Sequence, residues 1–436
     1  MGQSVSRQAD QEARRQEVID YLFGLHRFGW RLGLQRIATL MSRLGNPHRR
    51  FATVHIAGTN GKGSTAASLA SILTKAGLRT GLYTSPHLVR PEERIAIDGV
   101  PIAAGEFVEL VARLRSLADE LDATFFETLT ALAFLYFAEH HVEIAIVEVG
   151  LGGRLDATNV LHPLLTLIST IDLDHVQHLG PTVADIAKEK AGIIKPAVPC
   201  LTSAVEEEAL KVLRAVAEAQ RAPFHTLIEL FVVKGVELNE RYTTFSLVNE
   251  QVTLSDLRIP LIGEHQISNC ALAASAAHFL SNQEAGITPA AIRRGLETVR
   301  WPGRLQRIAE RPTTIVDVAH NPGAARCLVE ALKLFSFRRL LLVMGVMKDK
   351  DYRAMVGTLA PVTDVAIAVA PSSQRSLPVA ELAAAFRAYG VVTMEADSPY
   401  AGLRLARGLA APEDLVLCTG SHYTVGEVLA SEGAAL

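Results

Sequence analysis

His55-Ile56-Ala57-Gly58-Thr59-Asn60-Gly61-Lys62-Gly63-Ser64-Thr65 is the stretch on which the fold turns. The apolar run over residues 53–57 reads as a strand, and the Ala- and Leu-rich run over 64–76 reads as a helix. A glycine-rich turn between the two lets backbone N–H groups and a helix N-terminus converge on phosphate oxygens. Lys62 can set its ammonium against the β/γ-phosphates, while Ser64 or Thr65 offers a hydroxyl to Mg²⁺. Gly58, Gly61 and Gly63 allow an approach that a Cβ would hinder. The match to G-x-x-x-x-G-K-[ST] is incomplete, because Ile56 stands at the first glycine and Gly63 follows the lysine. A glycine-rich turn without a ligand is the competing reading. Gly150-Leu151-Gly152-Gly153 does not complete G-x-G-x-x-G, which argues against a nicotinamide site there.

Outward from this turn, strand-like apolar runs alternate with longer helix-like segments, the α/β pattern. Further strands are expected over residues 80–84, 144–149, 164–171 and 198–203, with helices over 105–122, 127–141 and 206–221. From 223 to 257 the character changes. Runs 228–233 and 243–248 alternate apolar and polar residues, as half-solvated antiparallel strands do, so a small β-rich excursion is expected. Helix resumes over 268–280. Trp301-Pro302-Gly303 then interrupts the pattern. Beyond it, strands are expected over 314–318, 339–345, 365–370, 391–395 and 415–419, with helices over 323–335 and 380–389 between them. The expected architecture is a P-loop domain over residues 1–299, with a mostly parallel sheet and the small excursion, followed by a C-terminal Rossmann-like α/β domain over 300–436.

The chain has 436 residues, 49% of them hydrophobic and 20% charged, which is globular composition and too long for one core. Lysine and arginine total 43 against 46 acids, so no nucleic-acid partner is expected. Cys200, Cys270, Cys327 and Cys418 form no Cys-x-x-Cys pair, which fits a reducing compartment. No apolar run reaches the about 18 residues a membrane span needs, and the first twenty residues are polar. A cytoplasmic monomer is the expectation.

The variant Gly58-Thr59-Asn60-Gly61-Lys62-Gly63-Ser64 resembles the Mur ligase superfamily, in particular the folylpolyglutamate and dihydrofolate synthases. Other segments agree in order. They are Thr84-Ser85-Pro86-His87-Leu88, the run from Glu148 to Asn159, Asp172-Leu173-Asp174-His175, and Glu189-Lys190-Ala191-Gly192. Trp301-Pro302-Gly303-Arg304, Asp317-Val318-Ala319-His320-Asn321-Pro322 and Thr419-Gly420-Ser421-His422-Tyr423 carry the resemblance into the second domain. Val318 departs from it, since the family more often has glycine there.

The resemblance implies an ATP-dependent amide ligase. A free carboxylate is a poor electrophile; phosphorylation by ATP makes an acyl phosphate, and the amine of L-glutamate then displaces phosphate. The acceptor would be dihydropteroate, a reduced folyl(poly)glutamate, or both. Gly58, Thr59, Asn60, Gly61, Lys62, Gly63, Ser64 and Thr65 would hold the nucleotide, with Asn269 near adenine, Arg304 on phosphate and Asp317 on ribose. Glu148 sits where a buried strand ends, at the ligand edge of an α/β sheet, and is the leading ligand for Mg²⁺. An ion pair with a nearby lysine or arginine is its alternative. The resemblance adds Ser64, Ser85 and His175, serving two magnesium ions. It implies that Lys190 is carbamylated, which turns an ammonium into an anion, where residue pattern alone reads a helix-surface lysine. It makes His320 a catalytic residue beside Lys62 and Lys190, and it places Phe126, Glu127 and Thr130 along a pterin pocket, against a plain core-packing role. Lys348, Lys350 and Asp351 either shape a glutamate pocket or form a solvated loop. Two other functions compete. A Mur-type peptide ligase would need a further UDP-binding domain, yet only about fifty residues precede the phosphate loop. A P-loop nucleotide-binding protein without ligase activity would need no second domain of this kind.

Overall fold

The computed structural model describes residues 2–25, 33–282 and 286–433. Eight strands form the first sheet: β1 (Ala52–Ala57), β2 (Thr80–Tyr83), β3 (Ile95–Ile97), β4 (Val100–Pro101), β5 (Ile144–Glu148), β6 (Leu165–Ile168), β7 (Cys200–Thr202) and β8 (Phe224–Thr226). Their order is β4-β3-β2-β5-β1-β6-β7-β8. From β2 through β8 every pairing is parallel, and β3 and β4 add an antiparallel edge. β1 and β5 are buried almost throughout, which explains their continuous Val, Ile and Ala content. Register places Ile56 beside Glu148 and Ala57 beside Ile168, so the carboxyl ends of β5, β1 and β6 lie together. From β1 the chain passes to β2 on one side and later to β6 on the other. Ligand crevices open at such switch points.

The helix Lys62–Lys75 springs from β1 and is buried on nearly every face. It lies between the sheet and two further helices, Glu264–Leu280 and Pro289–Glu297. Gly295 permits the tightest of these contacts, since a Cβ there would stand 2.3 Å from the Ile72 Cα.

The excursion is a three-stranded antiparallel sheet of β9 (Val232–Leu238), β10 (Thr243–Val248) and β11 (Thr253–Ile259). Phe245, Leu247, Leu254, Leu257 and Ile259 carry its inner face into the main core. Two expectations need correction here. Residues 224–226 belong to the large sheet as β8, so the excursion starts later. Within 228–233, Leu227–Leu230 is a helical turn, because Thr226 and Glu229 form a capping box; the strand begins only at Val232.

The second domain has its own six-stranded sheet: β12 (Gln306–Glu310), β13 (Thr313–Val316), β14 (Leu340–Met344), β15 (Val365–Ala368), β16 (Val392–Glu395) and β17 (Leu415–Thr419). The order is β12-β13-β17-β14-β15-β16, with only β12 antiparallel. It encloses separate hydrophobic clusters on its two faces. β3, β4 and β12 were not anticipated. They are two to five residues long, and β4 and β12 are not buried, so hydrophobicity marks them poorly. No helix among the described residues is long and apolar enough to cross a membrane.

Candidate active site

The turn after β1 is held by its neighbours and by its own Thr59, whose hydroxyl donates to the Asp172 carbonyl at 3.0 Å and accepts the Asp172 N–H at 3.1 Å. Thr59 N–H donates to the Thr170 carbonyl at 2.7 Å, and Ser169 Oγ donates to the Asn60 carbonyl at 2.7 Å. Gly58 has φ +151 and Gly61 has φ +85. A Cβ on Gly58 would stand 1.8 Å from Ser169 Oγ, and one on Gly61 would stand 2.0 Å from Asn269 Oδ1. A Cβ on Gly63 would meet the Trp301 ring at 2.6 Å. Lys62 begins the helix and reaches back to the Thr59 carbonyl at 3.2 Å. Ser64 and Thr65 are buried in the first turn, and Thr65 Oγ1 donates to the Asn269 carbonyl at 3.3 Å. Asn269 is not a helix cap. It lies inside Glu264–Leu280, buried, with its amide donating to Gln266 Oε1 at 3.0 Å.

Glu148 closes β5 beside this turn. Its Oε2 accepts the Ser85 N–H at 3.1 Å, and its Oε1 lies 3.9 Å from Lys62 Nζ. The ion-pair alternative is therefore present, with Lys62 as the partner. Burial raises the Glu148 carboxyl, while Lys62, the Ser85 amide and Arg304 pull it back. Among the described residues no three His, Cys, Asp or Glu side chains gather into a metal cluster. One carboxylate with nearby hydroxyls suits Mg²⁺, which keeps waters and shares phosphate oxygens, and does not suit Zn²⁺. The donor set thus fits a magnesium ion completed by phosphate.

Lys190 lies in the helix Val183–Ala191 and is 4% exposed. Its ammonium nitrogen is 2.8 Å from the Gly58 carbonyl, and no ion pair to it is found among the described residues. Burial, reinforced by Lys62, lowers its pKa to about 7. Surface placement, the bland reading of this lysine, is ruled out by that burial.

Residues of both domains meet across the crevice. Asn321 caps the helix Pro322–Leu332; its amide donates to Asn60 Oδ1 at 2.9 Å and to Asp174 Oδ2 at 3.1 Å. Lys350 donates to Asp174 Oδ1 at 2.6 Å and lies 3.3 Å from His175 Nε2. Burial would raise the Asp174 carboxyl, but Lys350, His175 and His320 hold it below the usual carboxylate range. His175 has φ +51, a left-handed conformation unusual outside glycine. His320 Nδ1 is 2.9 Å from the Val318 carbonyl, and burial lowers its pKa to about 4. Its ring packs against His422 with centroids 5.1 Å apart. Arg304 lies close enough to Asp317 and Glu148 to feel both charges. Asp317 spends its two oxygens on the Leu305 and Ala319 amides, at 3.0 and 2.8 Å, so it shapes its own loop. The Lys348 ammonium donates to the Gln374 carbonyl on the surface, and Asp351 caps the helix Tyr352–Leu359.

The expected pterin residues divide. Phe126 is half-buried, with its ring over the backbone of Gly150, where a Cβ would stand 2.4 Å from it. Glu127 is taken up by a capping box with Thr124 and an ion pair with Arg36 at 3.1 Å. Thr130 faces the core, bonded to the Phe126 carbonyl and the Tyr83 hydroxyl. Of the three, Phe126 alone is partly exposed.

Asp156 received no role from sequence, though it sits within the Glu148–Asn159 motif. The structure makes it the centre of a buried network beneath the turn. It accepts from the Leu151 N–H at 2.9 Å, the Thr158 N–H at 3.0 Å and Thr158 Oγ1 at 2.5 Å. Thr158 Oγ1 gives its single proton to Asp156, so His55 Nε2, 2.8 Å away, must be the donor to it. His55 is neutral, its pKa lowered to about 3 by burial and then by Lys195. The network ties β1 to the glycine loop that follows β5.

Two family models match the chain, the Mur ligase middle domain over residues 56–277 and the Mur ligase glutamate ligase domain over 303–422. The chain is 38% identical over 424 residues to the dihydrofolate synthase/folylpolyglutamate synthase of Bacillus subtilis, covering 95% of this chain and 98% of that protein. It is 34% identical to the Escherichia coli protein of the same name, covering 94% of each. A Mycobacterium tuberculosis folylpolyglutamate synthase solved with ADP and AMPPCP superposes with a TM-score of 0.89 at 35% identity, over 96% of this chain and 99% of that one.

Removing the Asp156 carboxylate strands two buried backbone amides, each worth about 1–3 kcal/mol when left unpaired. Asp156→Ala should lower unfolding stability in urea by at least about 2 kcal/mol, and Asp156→Asn, which keeps one acceptor, should cost less.

Proposed function

The chain belongs to the Mur ligase family, among its dihydrofolate and folylpolyglutamate synthases, and on that footing we propose that this ATP-dependent ligase adds L-glutamate to both dihydropteroate and reduced folylpolyglutamates in one interdomain cleft. The observation that carries this is the convergence of the glycine turn, Glu148 and the second domain's Asn321 and Lys350 on a single crevice. Full-length relatives that bear both activities in their names support the dual acceptor range. Residues 1–299 would hold nucleotide and acceptor, and residues 300–436 would bring glutamate and close the site. The proposed state is a monomer, and the proposed location is the cytoplasm.

In this reading the Gly58–Thr65 backbone and Lys62 hold the triphosphate of ATP, with Arg304 closing on it from the second domain. Asn269 would lie near adenine and Asp317 near ribose. Glu148, with Ser64 and Ser85, would hold one magnesium ion and His175 a second; bound magnesium screens charge between the phosphates and the incoming carboxylate. The acceptor carboxylate attacks the γ-phosphorus and ADP leaves. Glutamate, as the neutral amine, then attacks the acyl carbon, and the carbon–oxygen bond to phosphate breaks. His320 has its Nδ1 tied to Val318, which leaves Nε2 to orient the reacting phosphoryl end. Phe126 would stack on the flat pterin ring.

Burial that outweighs the more distant charges of Asp174 and Asp156 suits Lys190 for carbamylation. A neutral amine nitrogen bonds the carbon of CO₂ and releases one proton, giving an anionic carbamate that keeps an N–H for the Gly58 carbonyl. An ammonium has no lone pair for that bond. With the pKa near 7, the carbamate signal from ¹³C-bicarbonate should be strong at pH 8 and fade as pH drops through about 7. An active enzyme with unmodified Lys190 at pH 8 would overturn this role.

ADP release should require both glutamate and either dihydropteroate or tetrahydrofolate, and a muropeptide should not replace them. Lys62→Ala and Glu148→Ala should each cut that turnover at least about 1,000-fold with unchanged circular dichroism. Near-normal rates in either variant would refute the site.

A further inference from the structure

Lys350 crosses from the second domain and buries its ammonium in a loop of the first. Its side chain is 8% exposed, and that of its partner Asp174 is 10% exposed. The ammonium donates to Asp174 Oδ1 at 2.6 Å and lies 3.3 Å from His175 Nε2. A lysine ammonium has three donors and no acceptor, so the ring nitrogen facing it must present its lone pair. A divalent cation needs that same lone pair. Asp174 adds a carboxylate already served on its other oxygen by Asn321 at 3.1 Å, with His320 Nε2 at 3.8 Å. The lysine therefore stands where a cation bound to His175 would stand, and two positive charges cannot share one carboxylate and one imidazole nitrogen.

We propose that Lys350 is a tethered counter-cation that fills the Asp174–His175 position until a divalent metal displaces it. The inference rests on the reading of His175 as a metal ligand and adds an order of events to it. Without metal, the Lys350–Asp174 bond pins the second domain to the first. When a metal takes the His175 nitrogen, the lysine keeps its proton and exchanges these two contacts for a place in the cleft, where its charge meets anionic substrate. Metal loading and release of the interdomain contact become one step. The ammonium of Lys348, two residues earlier, turns instead to the Gln374 carbonyl of its own domain.

The test is titration of the nucleotide-free, full-length protein with manganese chloride, counting free ion by electron paramagnetic resonance. Lys350→Gln should lower the manganese Kd at least fivefold. Lys350→Arg, which keeps the charge, and Lys348→Gln, which removes a neighbouring one, should both stay within twofold of the parent. Adding His175→Ala should abolish the gain. In the unsubstituted protein, reductive methylation of Lys350, mapped by mass spectrometry, should rise at least threefold when manganese is added, and this readout does not depend on any variant folding. An unchanged or weaker Kd in Lys350→Gln, an equal gain in Lys348→Gln, a gain that survives without His175, or metal-independent methylation would each overturn the proposal. Absence of manganese binding in every protein would remove the metal reading as well, whereas parent binding that ignores Lys350 removes this inference alone.

Discussion

The structure depends on a shortage of space at one turn. Three glycines after β1 are each pressed by a different element: Gly58 by Ser169 after β6, Gly61 by Asn269 in the core helix, and Gly63 by Trp301 in the interdomain connection. No side chain fits at any of the three. Their backbone amides are consequently the surface the turn offers to a ligand, and their shape is set from three directions at once. The linker that leads to the second domain is itself one of the walls. The proposed nucleotide turn and the connection to the second sheet are thus built against each other.

Charge is the second organising feature. Lys62, Lys190, Arg304 and Lys350 surround the crevice, and Glu148, Asp174 and Asp317 answer them only in part. Burial pushes the Lys190 and Arg304 pKa values down and the Glu148 and Asp317 values up. Such an arrangement is costly while the cleft holds no anion. In the proposed reading a triphosphate would supply the missing negative charge, and the cost of assembling the cations would be recovered as affinity and positioning.

Much of this was legible in the sequence. The parallel strands were visible because burial on both faces demands unbroken Val, Ile and Leu, as in β5, β14 and β17. The turn was visible because its glycines are dictated by contact. The short strands β3, β4 and β12 were not, since two to five residues leave no period to read, and β4 and β12 are not buried. The 227–230 turn was misread as strand because its capping box outweighs its apolar composition. Asp156 was passed over because a buried hub of backbone bonds has no compositional mark. The pairing of Lys350 with Asp174 joins positions 176 residues apart, and only the fold brings them together. Glu127 and Thr130 show the converse, since their motif positions suggested a ligand pocket while local capping and core bonds occupy them.

The contact of Asn321 with Asn60 has a meaning that follows from connectivity. A lone amide–amide bond contributes only about 1 kcal/mol in water and would never hold two free proteins together. Joined by the Trp301-Pro302-Gly303 segment, the two halves experience each other at an effective concentration in the millimolar range or above. Such a contact then adds usefully to the Lys350–Asp174 pair and to the packing of Leu88 and Val89 on the second domain. A cycle that must admit three substrates and discharge three products is better served by several small, separable contacts than by one continuous seam.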